Sequence, residues 1–525
     1  MKSSILNKNQ FIFFFSIILA LLIILQSLPL KVPHDLSSYL APAIALLEGY
    51  GQPYQNYFDI KPPILVFFFY PWIYFFGYSL YSIIILYFIV LIISFYCLYK
   101  ILLQIHNKNI TKFVFLFIIL VSIVNENFEN FFSSEVIGNF FIFLSLYIYF
   151  LNKDFFFKWI VIGLLTFLAG QTKEVYFFSI FAFIFIIFSE KKMYKKNLLT
   201  LLSGWFLGLI LMLIILFYNN ILNDYYNIIL FKKEIFSVKL ISYGYQIIKI
   251  FLSLVLHLNI IFLFFIYYLF KIYVYKKKNF LIIIKKNLFS NSKLNCLIVL
   301  CFSIMVGFIW QFKPPYGHYF LSIWPLFVTM FYSIIVQLFK FTNYNSRIFN
   351  EFYLIPFLII SLFFNLLIFD KFDGIKIMKN TYSFFNLKIE DYNNLKVYKK
   401  MNIILGENNC FQTVYGWNTG STHIYLNKPP CSKFFLSNLI INDNIINTYR
   451  KELLFEPPYL VVYDYLAGLD ALNAYEFEEN VFPWGNIMLK CYDNTQIQDV
   501  FIAKYQKKEM QNCFLNEMKK AGIKN

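Results

Sequence analysis

The chain has 525 residues, 59% of them hydrophobic and only 14% charged, where a typical soluble domain is roughly a quarter charged. With 68 Phe and 41 Tyr the aromatic share reaches 22%, more apolar surface than a single soluble core of this size can hide. A soluble enzyme, a disordered chain and a nucleic-acid-binding module are excluded, and the composition points to a polytopic membrane protein that uses lipid as its solvent. The net charge of +17 is carried almost wholly by Lys, with Arg at Arg347 and Arg450 alone. Most of these Lys stand in short segments between apolar runs, where they set topology rather than bind nucleic acid.

Residues 11–30 form the first apolar run, behind Lys2 and Lys8. No small-residue cleavage site follows, so a retained first span is expected. Runs able to cross follow at 82–99, 113–124, 136–151, 157–170, 175–189, 198–218, 247–270, 294–311, 318–338 and 351–369, several of them shorter than the roughly 20 residues of a straight span. The run 64–79 decides the sidedness of everything after it. It carries Pro71 in its middle and Tyr and Trp throughout, which suits an interfacial helix. Lys100, Lys108, Lys112 and the basic stretches 191–196 and 271–293 then face the cytoplasm. The expectation is an α-helical protein of about 11 transmembrane helices, N-terminus inside and C-terminus outside, with juxtamembrane helices in a first outer loop, 31–80.

The transmembrane part is expected over 1–369 and a small extracytoplasmic α/β domain over 370–525. This tail alternates short β-like runs such as 460–465 with Gly, Pro and Asn turns. Of seven Cys, Cys97, Cys296 and Cys301 fall in or beside spans, and the tail holds Cys410, Cys431, Cys491 and Cys513. An even count in an oxidising compartment fits two disulfides with three possible connectivities, of which spacing favours 410–431 with 491–513. No nucleotide-binding phosphate loop, metal-ligand spacing or internal repeat is present.

Several polar residues are out of place for a membrane chain, and all fall on the expected outer side. Asp35 follows the first span directly, where a carboxylate is costly unless used or paired; from position alone it serves equally as a helix N-cap. Asp59 and Lys61 can pair with each other or orient a substrate. Glu135 opens a span after an acidic loop, either as a working carboxylate or as a first-turn acid. Lys173 can meet an anion or pair with Glu174. His318 and Tyr319 open another span. Lys232, Lys233 and Lys239 break the positive-inside tendency, which suggests phosphate binding.

The pattern Asp35-x3-Tyr39, then Gly49-Tyr50-Gly51-Gln52-Pro53-Tyr54, then Tyr57-Phe58-Asp59-Ile60-Lys61-Pro62-Pro63 and an aromatic run to Phe76-Gly77 resembles the first outer loop of C-type membrane glycosyltransferases. The likeness is to the branch of protein O-mannosyltransferases, lipid A aminoarabinose transferases and lipopolysaccharide-core galacturonosyltransferases. Gly163 to Lys173, Gly317-His318-Tyr319 to Pro325, and Tyr415-Gly416-Trp417 with Ile424-Tyr425-Leu426 resemble later segments of that family. One departure stands out: several members have two adjacent acids in this loop, whereas Leu36 follows Asp35 here.

The resemblance implies sugar transfer from a polyprenyl-phosphate donor to an acceptor lipid, glycan or protein, with inversion at the anomeric carbon, at the outer face of a bacterial inner membrane. It implies Asp35 as general base, Glu135 as a second catalytic or divalent-cation-holding carboxylate, and Tyr39, Asp59, Lys61, Lys173, Lys232, Lys233, His318 and Tyr319 as substrate-binding residues. The sequence does not fix a cofactor, and a divalent cation remains open. The rival readings are a transporter or flippase, which calls for charges along span centres, and a polymerase of polyprenyl-linked glycans.

Overall fold

The computed structural model describes residues 17–18, 20–25, 34–57, 59, 61–105, 108–124, 132–151, 157–190, 193–235, 248, 251–252, 254–275, 292–310, 322–342, 354–368, 393–406, 409–415, 419–426, 428, 430–433, 443–463, 490–495 and 500–520. The helices are α1 His34–Glu48, α2 Ile64–Phe76, α3 Leu80–Ile105, α4 Lys108–Val124, α5 Ser134–Phe150, α6 Lys158–Thr172, α7 Ser179–Glu190, α8 Tyr194–Tyr218, α9 Leu222–Ile235, α10 Ile260–Tyr275, α11 Ser292–Trp310, α12 Trp324–Thr342 and α13 Leu354–Ile368. The tail adds α14 Asn393–Leu405, β1 Phe411–Tyr415, α15 Thr419–Leu426, α16 Asp443–Phe455, β2 Leu460–Tyr463, β3 Tyr492–Asn494, β4 Val500–Ala503 and α17 Lys507–Lys520. Segments Tyr81–Ile105 and Tyr194–Tyr218 are long and apolar enough to cross a bilayer; the other apolar helices among the described residues are shorter.

Contacts divide the chain into two compact units. One comprises Met1–Leu28, Ile83–Met212 and Val238–Tyr382, the other Pro29–Ser82, Leu213–Ser237 and Ser383–Asn525.

The first unit is a helical bundle with two distinguishable ends. At one end the Lys293 ammonium donates to Gln104 Oε1 at 2.8 Å, Lys158 to the Leu151 carbonyl at 3.0 Å, and Tyr149 to Glu190 at 2.8 Å. At the other, Tyr87 meets Phe132 at 5.1 Å and the Trp324 indole donates to the Ile118 carbonyl at 3.4 Å. The helices α3 to α7 and α11 therefore alternate in direction. Small residues set their spacing: a Cβ on Gly204 would overlap the Ile160 carbonyl, and one on Gly163 the Leu201 carbonyl. Backbone-to-backbone approach of this kind replaces hydrophobic collapse where the solvent is itself apolar.

Two expected runs are broken locally. The run at 175–189 begins as a 3-10 turn, Glu174–Phe178, because Lys173 is extended (φ −157, ψ 135) and ends α6. The run at 247–270 is interrupted at Asn259, whose φ of 31 starts a new helix. Its carboxamide oxygen accepts the Ile260 N–H at 2.5 Å, and its Nδ2 donates to the Ser361 carbonyl of α13 at 3.2 Å.

In the second unit the run at 64–79 yields only the 13 residues of α2, roughly 20 Å at 1.5 Å per residue, short of a hydrocarbon core of about 30 Å. Gly77 stops it, taking φ 73 while its N–H donates to the Ile73 carbonyl. A positive φ of this kind favours Gly. Helix α2 buries Leu65, Val66, Phe69 and Ile73 and packs against α1. The tail builds a four-stranded mixed sheet in the order β1-β2-β4-β3. Strands β1 and β2 run parallel, pairing Phe411 with Leu460, and β4 lies antiparallel to both β2 and β3. Met401, Leu405, Phe411, Leu426, Leu460 and Val462 form its core. Disulfides join Cys410 to Cys431 and Cys491 to Cys513, the pairing that spacing favours. Cys97, Cys296 and Cys301 are buried free thiols.

Candidate functional site

The second unit brings the expected site residues Tyr39, Asp59 and Lys61 together beside α1. Asp35 is the second residue of this helix. A helical period of 3.6 puts positions 35, 38 and 39 on one face. Lys61, just before the Pro62-Pro63 approach to α2, reaches that face. Its ammonium donates to Ser38 Oγ at 2.8 Å and stands 5.0 Å from the centre of the Tyr39 ring. Tyr39 is buried and stacks on Phe69 of α2 at 5.3 Å. An ammonium over an aromatic face is held electrostatically, by about 0.5–2 kcal/mol.

The loop that delivers Lys61 is fixed by its own side chains. Asp59 is buried and accepts the Lys61 backbone N–H at 3.2 Å, an Asx turn. The Tyr54 hydroxyl donates to the Lys61 carbonyl at 2.9 Å. Burial raises the Tyr54 pKa well above its ordinary value, with the Tyr225 and Asp59 charges adding to the shift, so it remains a neutral donor. Gln55 donates to Asp224 at 3.0 Å and to the Asn220 carbonyl at 2.9 Å, and Tyr54 meets Tyr225 at 5.3 Å. These contacts tie α9, whose backbone carries Lys232 and Lys233, to the same loop.

The first unit holds a second polar cluster. Glu135, in the first turn of α5, is buried and forms an ion pair with Lys173, itself buried at the end of α6. Lys173 thus meets Glu135 from the preceding helix, a partner that sequence spacing does not suggest. Ser134 Oγ donates to Glu135 Oε2 at 3.2 Å, and the Tyr176 hydroxyl lies 3.1 Å from the Glu135 carbonyl and 3.0 Å from Asn139 Oδ1. Gly138 makes room for Tyr176 and Thr172, since a Cβ there would overlap the Tyr176 ring.

His318 and Tyr319 lie outside the described residues, as do Lys239 and the acidic segment 125–131. Among the described residues no three His, Cys, Asp or Glu side chains gather as a metal site. Sequence reasoning missed Ser38, Asn139 and Tyr176. Ser38 had a usable signal, being three residues after Asp35 on a helix; the others belong to apolar-looking runs.

No family model and no curated protein matches the chain. Among solved structures, the archaeal oligosaccharyltransferase AglB from Archaeoglobus fulgidus, in complex with an inhibitory peptide and a dolichol-phosphate, aligns over 87% of this chain and 70% of its own, at 11% identity and a TM-score of 0.43. The Archaeoglobus fulgidus oligosaccharyltransferase in complex with Zn and sulfate aligns over 86% and 67%, at 11% identity and a TM-score of 0.45. TM-scores below 0.5 give these likenesses no bearing on what this chain does.

Proposed function

We propose that this chain is a membrane glycosyltransferase that moves a sugar from a polyprenyl-phosphate donor to an acceptor hydroxyl or amine at the extracytoplasmic face. One observation carries the proposal: the Lys61 ammonium lies against Ser38 and Tyr39, one helical turn past Asp35. A cation and a carboxylate position on one helix face are what the reaction needs. The acceptor attacks the anomeric carbon, the bond from that carbon to the phosphate oxygen breaks, and the phosphate leaves with the electron pair. Asp35 takes the acceptor proton, an effect of roughly 10²–10⁴-fold. Lys61 stabilises the charge gathering on the phosphate, and Lys232, Lys233 and His318 guide the donor head group. Lys173 reaches an anion only by exchange with Glu135. A divalent cation at Glu135 would have to displace the same ammonium.

The sidedness follows from charge. The helices that meet at the end marked by Gln104, Leu151 and Lys293 carry Lys108, Lys112, Lys195 and Lys196 in their first turns, and we assign this end to the cytoplasm. The opposite end carries Glu135, and two disulfides in the tail suit an oxidising compartment. We assign eleven crossings on this basis, with α1, α2 and the tail outside.

The test is mass spectrometry of envelope lipids and glycans from cells with the wild-type chain, Asp35→Asn or no copy, at matched protein level. The variant and the null are expected to lose the same sugar mass, which identifies the donor class. Loss in the null alone moves the base to Glu135. Polyprenyl-linked intermediates accumulating in the null, with no sugar lost, support transport instead.

A further inference from the structure

The tail segment from Cys410 to Cys431 is closed on itself. Its disulfide brings the two Cα atoms to 5.1 Å, and the Cys431 N–H donates to the Phe411 carbonyl at 3.1 Å. Inside this loop lies α15, which packs against α1. Its His423 is fully buried, stacked on Phe411 at 4.3 Å and meeting the Tyr57 ring edge-on at 6.1 Å. Tyr57 belongs to the first outer loop and is buried there, its carbonyl accepting the Tyr54 N–H at 2.9 Å. Tyr54 in turn holds the Lys61 carbonyl, and Lys61 reaches Ser38 of α1. A continuous set of contacts thus joins the tail disulfide to the residues around Asp35.

We infer that the Cys410–Cys431 loop is a clasp, and that His423 is a positioning residue whose ring, wedged between Phe411 and Tyr57, holds the first outer loop and α1 in the geometry that sets Lys61 beside the Asp35 turn. The tail thereby acts on the helix that bears the proposed base, without itself having to contact the acceptor. Burial holds the imidazole pKa down to about 3, against a hydrogen bond to the Lys428 backbone that raises it. The ring is uncharged at any working pH and acts through its shape, so another flat ring can take its place. The importance of Asp35 and Lys61 rests on the proposed transferase reading; the clasp itself does not.

Hydrogen exchange on the purified full-length chain in detergent tests it. His423→Ala is expected to speed amide exchange over 34–48 and 50–61 by about tenfold, with α17 unchanged, while His423→Phe stays within about threefold of wild type. A purely local role in the tail would leave 34–48 untouched, and that result overturns the clasp. Equal loosening by His423→Phe overturns the wedge. Should His423→Ala fail to fold, Tyr57→Leu probes the same contact from the loop side and must loosen α15 together with 34–48. Envelope glycans from the same cells are expected to lose the sugar with His423→Ala and regain it with His423→Phe. An exchange shift in the purified His423→Ala chain, with no sugar lost from null cells, removes the transferase reading and leaves the clasp standing.

Discussion

Lys61 and Ser38 stand twenty-three residues apart in the chain and 2.8 Å apart in the fold, with the Lys61 ammonium held against α1. Asp59 turns the backbone, Tyr54 holds the Lys61 carbonyl, and Tyr39 offers its ring face. Ser38 and Tyr39 thus hold the ammonium while Asp59 and Tyr54 hold the backbone behind it, a degree of ordering that an ordinary surface Lys does not receive.

Lys61→Met is therefore expected to cut sugar transfer by roughly 10²–10³-fold, as removal of one preorganised charge does. Lys61→Arg keeps the charge but cannot occupy the same compact site, and is expected to recover only part of the activity. Envelope mass spectrometry at matched protein level reads both. Full activity in Lys61→Met would remove the phosphate-stabilising role.

The Glu135–Lys173 pair makes a different prediction, on stability. Removing one member leaves the other charge buried, at a cost of about 3–5 kcal/mol. Glu135→Gln and Lys173→Met are each expected to lower the detergent melting midpoint sharply, and the double variant to recover most of the loss. If Glu135 serves the chemistry as well, the double variant will be stable and still inactive, which separates the two roles in one series.

The apolar runs located the helices because a span must be continuously apolar whatever its neighbours do. The tail's β2 and its disulfides were legible for equally local reasons, alternation and an even Cys count. Contacts were not. Lys173 pairs with Glu135 of another helix, a partner thirty-eight residues away that no local spacing points to. The interruption at Asn259 was equally hidden: a single polar residue in an apolar run reads as tolerated until a second helix supplies the Ser361 carbonyl. Resemblance brought Asp35, Tyr39 and Lys61 together as a motif, but the contact through Ser38 depends on how α1 and the loop before α2 pack in three dimensions.

Helix packing in the bundle gives a third test. Gly204 faces the Ile160 carbonyl with no space for a side chain, whereas Ser203, one residue earlier, is exposed. Gly204→Val is expected to cost about 1–3 kcal/mol through forced separation of α6 and α8. Ser203→Leu should stay within about 0.5 kcal/mol. Melting curves of the two variants in the same detergent compare them directly; equal midpoints would mean that α6 and α8 do not meet at Gly204.

The last prediction concerns acid. His423 has its pKa held down to about 3 by burial, while in the unfolded chain it titrates near the ordinary value of about 6.5. Between these values the unfolded state binds a proton that the folded state does not, so folding weakens as pH falls. The native contribution is complete above about pH 6.5 and declines progressively toward pH 3, by roughly 5 kcal/mol at the lower limit for this one group. Denaturant unfolding followed by tail fluorescence should show this slope in the wild-type chain. His423→Phe carries no titrating ring and should flatten the slope between pH 6.5 and 4 while keeping the stability seen at pH 7. A wild-type chain whose unfolding midpoint is unchanged across that window would place the imidazole in water instead of between Phe411 and Tyr57.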